Sequence, residues 1–184
     1  MHKIDRFLLG LLGLFLALGV WACDQLAEEL TIVVQDYTAI ADVTYSWQVE
    51  YAESFDIART IRQETFASTH LTNRNGVAPE GAVTGPDDQG LWWPALPPRP
   101  TVDELEARQK EAREKRADPT LLKQVNYRIE FVTDGVNQTA ATKHIVYRQV
   151  VKAHAAGQVL MLTLTPGQNF VVNAEPHEGD GETF

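Results

Sequence analysis

The chain has 184 residues, of which 44% are hydrophobic and 22% charged, a balance that supports a folded core and lies far from the composition of disordered chains. Its net charge of −9 argues against a protein whose main work is neutralising nucleic-acid phosphates, which needs clustered Lys and Arg in excess. A single cysteine excludes an intramolecular disulfide and a thiolate-rich zinc or iron–sulfur site within one chain.

Lys3 and Arg6 precede an uncharged apolar run over residues 7–22 that ends at Cys23. This is the order of a positive n-region and a hydrophobic h-region. At a rise of about 1.5 Å per residue the run covers roughly 24 Å as a helix, less than the roughly 30 Å hydrocarbon core. Three readings stay open: a lipoprotein-like signal with Cys23 as the lipid attachment, an uncleaved signal anchor, and a plain secretory signal. Trp21 departs from the small residue that a lipoprotein signal usually carries there. Each reading places residues 24–184 outside the cytoplasm, and Asp24, Glu28 and Glu29 just beyond the run agree with that orientation. The expected location is therefore a membrane-anchored domain facing a periplasm or lumen.

From 24 to 41 the apolar residues Leu26, Leu30, Val33, Val34, Tyr37, Ile40 and Ala41 recur at spacings of three and four, which predicts a helix against the grain of the β-branched run Thr31-Ile32-Val33-Val34. Residues 43–51 then alternate strictly, with Val43, Tyr45, Trp47, Val49 and Tyr51 on one face, as a half-buried strand requires. Residues 54–68 fit a helix or a second strand equally. Residues 71–100 form a long Gly/Pro loop ending in LWWPALPPRP, an extended arm headed by Trp92 and Trp93. Two roles are open to it. It can lie across the domain and cover a hydrophobic face, or it can present Trp92, Trp93, Pro94 and Pro97 to a protein partner in or at the membrane. Pro94, Pro97 and Arg99 also match a PxxPxR ligand of SH3-type domains, a use that export from the cytosol removes.

Thr101 and Glu104 predict a capping box at the start of a charged helix over 102–116, supported by Glu104–Arg108, Glu106–Lys110 and Glu111–Lys115 at i,i+4. Beyond Pro119, an alternating strand through Tyr127, Ile129 and Phe131 meets the turn dipeptide Asp134-Gly135. With 143–153 and 159–165 read as the next strands, the C-terminal part becomes a three-strand meander. An acidic tail, 175–184, ends the chain. The fold class expected is α+β: an N-terminal membrane or signal helix over 1–23, then one domain over 24–174 with a small antiparallel sheet packed by one or two helices.

No Gly-x-Ser-x-Gly elbow, phosphate loop, dinucleotide fingerprint or His-Glu-x-x-His helix is present, and no metal or cofactor is expected. Asp87 and Asp88, with Asp134, fit solvated turns better than a cation site, and the Asn137-Gln138-Thr139 sequon matters only in a eukaryotic secretory pathway. The leading expectation is a non-catalytic binding or assembly protein for a membrane complex. The alternative is a small hydrolase or transferase with a site assembled from Asp134, His144 and His154.

The combination of the anchored N-terminus with GPDDQGLWWPALPPRPTVDELEARQ and YRIEFVTDG resembles conserved hypothetical membrane-anchored proteins of cyanobacteria. That resemblance implies a thylakoid-lumen or periplasmic location and assistance to a membrane complex; it carries no activity and no residue roles.

Overall fold

The computed structural model describes residues 29–53 and 62–177. The apolar run 7–22, Cys23, the beginning of the helix expected from 24 and most of the acidic tail lie outside the described residues. No helix among the described residues is long and apolar enough to cross a membrane.

The fold is mostly β, which corrects the expected small sheet packed with helices. Strands β1 (Leu30–Val34), β2 (Tyr37–Ala52), β3 (Arg62–Arg74), β4 (Lys115–Arg116), β5 (Thr120–Thr133), β6 (Val136–Thr142), β7 (Leu160–Leu164) and β8 (Phe170–Pro176) build one eight-stranded mixed sheet. The described helices are two: α1 (Val102–Ala107) and α2 (His144–Ala155). The order across the sheet is β1-β7-β8-β6-β5-β2-β3, with β4 beside β2; only β6 and β8 run parallel. Two residues, Gln35 and Asp36, separate β1 from β2, yet β1 pairs with β7 and β2 with β5. The strip therefore curls back on itself through one long bent segment, and β3 branches from it.

Asn75 continues the β2–β3 ladder one residue beyond the Ile40–Arg74 pair. Its amide N donates to Ala39 O at 2.8 Å, its Oδ1 accepts from Ala39 N at 2.8 Å, and its Nδ2 lies 3.0 Å from His154 Nε2. A φ of 50° at Asn75 and 71° at Gly76 turns the chain there, a conformation that Asn and Gly tolerate best.

Three elements differ from the sequence reading for identifiable reasons. Residues 30–34 and 37–52 are strands, because long-range pairing and the β-branched run outweigh a chance helical spacing. Residues 144–153, read as strand, belong to helix α2 with Lys143 as its N-cap, so there is no three-strand meander. Its buried residues Val146, Tyr147, Val150 and Val151 have helical spacing, and they share a cluster with Ala39, Ala41, Ala140 and Ala174 of the sheet, small side chains that leave room for a helix. The charged helix ends at Ala107 rather than 116. Its capping box forms as expected, but the local pairs are worth only a few tenths of a kcal/mol each, and tertiary partners replace them: Arg108 reaches Glu64 at 3.2 Å and Glu114 takes Arg62 at 2.9 Å. Residues 62–68 resolve as strand, and Glu175 and Pro176 finish β8.

The alternating residues of β2 do face the core: Val43, Tyr45, Val49 and Tyr51 are buried. The opposite face is polar, with Asp42 bound by Arg128 and by the Thr72 hydroxyl at 2.7 Å.

Candidate binding site on the tryptophan arm

The arm is organised by two polar side chains that the sequence reading did not single out for this role. Asp87 Oδ1 accepts from the amides of Gln89 at 3.0 Å and Leu91 at 2.8 Å, and its Oδ2 accepts from Trp93 Nε1 at 2.7 Å. Both oxygens of this carboxylate serve the turn, so Asp87 is a loop organiser. Among the described residues no group of three His, Cys, Asp or Glu side chains is placed to hold a metal ion. Asn73, fully buried on β3, grips the backbone of Trp92: its Nδ2 donates to Trp92 O at 3.0 Å and its Oδ1 accepts from Trp92 N at 2.8 Å. Thr84 and Trp93 pair as an isolated bridge and close the hairpin-like turn.

The two tryptophans consequently have different environments. Trp93 is 6% exposed and stacks at a tilt on Tyr45, ring centroids 4.8 Å apart. The Lys123 ammonium lies 5.0 Å from its ring centroid and 5.4 Å from that of Tyr45. Leu91, wholly buried, belongs to the same core. Trp92 is half-buried. Its Nε1 donates to Gly76 O at 3.4 Å, and a Cβ at Gly85, where φ is 130°, would stand 2.9 Å from Trp92 Cα and 3.3 Å from its ring. The ring is thus held between two glycine-bearing turns whose neighbours Val77 and Val83 are 68% and 65% exposed.

Beyond the tryptophans the arm runs along the β2–β3 ribbon. Ala95 O accepts from Thr69 Oγ1 at 2.6 Å, Pro97 O accepts from Trp47 Nε1 at 3.0 Å, and the Arg99 guanidinium sits 5.6 Å above the Trp47 ring. Pro94 and Pro97 are buried against the sheet, so the PxxPxR spacing is not displayed as a free ligand. Cys23 lies outside the described residues.

The residues of the hydrolase alternative are not brought together. His144 and His154 stand at opposite ends of α2, about 15 Å apart at 1.5 Å per residue. His144 Nε2 approaches Gln89 O at 3.3 Å and packs on Tyr127, whereas His154 meets Asn75 and the edge of Tyr37. Asp134 occupies the exposed β5–β6 turn. Tyr147 is wholly buried in the core that also holds Leu91 and Trp93 of the arm, and its hydroxyl has no hydrogen-bond partner. Burial raises its pKa above the ordinary tyrosine value.

Fold and site together define a curled β sheet wrapped on one helix, with a loop arm locked over the branch ribbon. No family model matches the chain, and it matches neither a curated protein nor a solved structure.

Proposed function

We propose that this chain is an exported, membrane-tethered, non-catalytic binding protein, an accessory or assembly factor for a membrane complex, and that Trp92 is its principal contact with a protein partner. The apolar run 7–22 supports the tether and the outward placement. The observation that carries the binding site is the division of labour on the arm: Trp93, Pro94 and Pro97 are spent on the sheet, while Trp92 keeps a solvent-facing side next to Val77 and Val83. A large aromatic held by its own backbone loses little conformational freedom when a partner covers it, which is what interface hot spots require.

The test is mild-detergent purification of the tagged full-length chain from its own membranes, with identification of the proteins that come with it. Trp92→Ala, and separately the pair Val77→Asp with Val83→Asp, should reduce recovery of a specific partner at least tenfold while circular dichroism stays unchanged. Recovery equal to wild type from both variants would remove the arm from the interface.

A further inference from the structure

A histidine stands at each end of α2, and the two make opposite demands on the ring proton. His144 Nε2 faces a carbonyl, Gln89 O at 3.3 Å, which only accepts, so this contact is open to the neutral and the charged ring alike. His154 Nε2 faces the side-chain amide of Asn75 at 3.0 Å. That amide cannot turn around, because its Oδ1 accepts from Ala39 N at 2.8 Å while Asn75 N donates to Ala39 O. Asn75 Nδ2 is therefore the donor and His154 Nε2 the acceptor, which requires a neutral ring with its proton on Nδ1. Protonation sets one N–H against another.

The turn held by this bond is also the seat of Trp92. Asn75 and Gly76 have φ of 50° and 71°, Gly76 O accepts from Trp92 Nε1 at 3.4 Å, and a Cβ at Gly76 would stand 2.9 Å from Val151 Cγ1 of α2. The turn thus lies directly on the helix. Charged groups around the ring are engaged elsewhere. Tyr37 of β2 meets the ring edge-on, its hydroxyl donates to Gln158 O, and burial pushes its pKa above the ordinary tyrosine value, so it stays neutral. Arg74, next to Asn75 but on the opposite face of the strand, is ion-paired with Glu130 at 3.6 Å. Lys152 of α2 and Glu175 of β8 border a groove that His154 does not line. Among the described residues no ion pair includes His154. The ring is exposed at the C-terminal end of its helix, where the carbonyl dipoles accommodate a cation, so the folded chain tolerates the charged form.

We infer that His154 and Asn75 form a pH-sensitive latch, closed while His154 is neutral and opened when it gains a proton, which releases the 75–77 turn from α2 and loosens the seat of the Trp92 ring. The latch stands on these contacts alone and does not depend on the partner proposed for Trp92.

Imidazole ordinarily titrates near pH ~6.5, so measurements at about pH 7.5 and 5 bracket the change. The assay is hydrogen exchange on the full chain in mild detergent, expressed as protection relative to the intrinsic exchange rate at each pH. In wild type, protection of the Asn75 and Val77 amides should fall at least threefold at the lower pH, while Gly90, beside His144, keeps its protection. His154→Gln offers an acceptor at either pH and should abolish the step with protection kept high; His154→Lys offers none and should be poorly protected at both. Asn75→Asp, whose carboxylate accepts from the charged ring, should reverse the sign of the step. A wild type with equal protection at both pH values would overturn the inference, as would a step that persists in His154→Gln or keeps its sign in Asn75→Asp.

Discussion

Replacing the two tryptophans one at a time separates a core residue from a rim residue, and the structure sets the size of the difference. Trp93→Ala removes a side chain that is 6% exposed, its stack on Tyr45, the Lys123 contact and the N–H that Asp87 Oδ2 accepts. Truncations of buried aromatic residues cost about 3–5 kcal/mol. For a chain of this size each kcal/mol lowers Tm by about 2–4 °C, so the expected loss is roughly 6–20 °C. Trp92→Ala keeps both backbone bonds to Asn73 and removes a half-buried ring with a long 3.4 Å bond, for about 1–2 kcal/mol. Far-ultraviolet circular dichroism on heating is the suitable assay, because fluorescence changes with the substitution itself. A Trp93→Ala variant that melts no earlier than Trp92→Ala would refute the assignment of Trp93 to the core.

Two further substitutions test the polar interior. Tyr147→Phe removes a hydroxyl that has no partner, so stability should stay within about 1 kcal/mol of wild type or rise, whereas Tyr51→Phe forfeits the 2.9 Å bond to Leu105 O and should cost about 1 kcal/mol; urea midpoints compare them. The Arg62 guanidinium holds the Glu114 carboxyl below the usual carboxylate range, helped by the Lys110 amide. A carboxyl depressed in the folded state contributes stability that is present above its unfolded pKa, about 4.3, and is lost as pH falls through the folded value. Glu114→Gln should therefore be less stable than wild type at pH 7, with the gap narrowing in acid; a gap independent of pH would argue against the ion pair.

What the sequence made legible was local. The β2 alternation, the Asp134-Gly135 hairpin and the Thr101–Glu104 capping box each depend on neighbouring residues alone, and each is found where the pattern puts it. The errors came where distant partners decide. Residues 30–34 carry helical spacing but pair with β7, and α2 is rich in β-branched residues that suggested a strand until packing against alanines of the sheet chose otherwise. The curl of the sheet depends on which strands flank a two-residue bend, and no local pattern encodes that. On the arm, WWP announced an extended aromatic segment but not which tryptophan faces inward. That choice is made by Asp87 reaching Trp93 Nε1 from six residues earlier, across the turn of PDDQG, and by Asn73 arriving from another strand.

Asp87, which shapes the turn on either side of Trp92 through Leu91 and Trp93, supplies the sharpest check on the binding proposal. With α2 against the inner side of the curled sheet and the arm covering the branch ribbon, much of the apolar surface is already used, and a partner must meet what remains at the rims. A rim contact is strong only if it is held before binding, since ordering a loop on association costs roughly 0.5–1.5 kcal/mol for each side chain immobilised. Asp87→Ala deletes three hydrogen bonds that shape the turn but touches neither the exposed side of Trp92 nor the main sheet ladder. The expectation is a domain that still folds, with a Tm lowered by several degrees, and a partner that dissociates several-fold faster although every contacting residue is intact. Binding kinetics on the purified full chain would measure this, once the partner is in hand. Unchanged dissociation from an Asp87→Ala variant with a loosened arm, shown by faster hydrogen exchange at residues 87–93, would mean that arm rigidity plays no part in recognition.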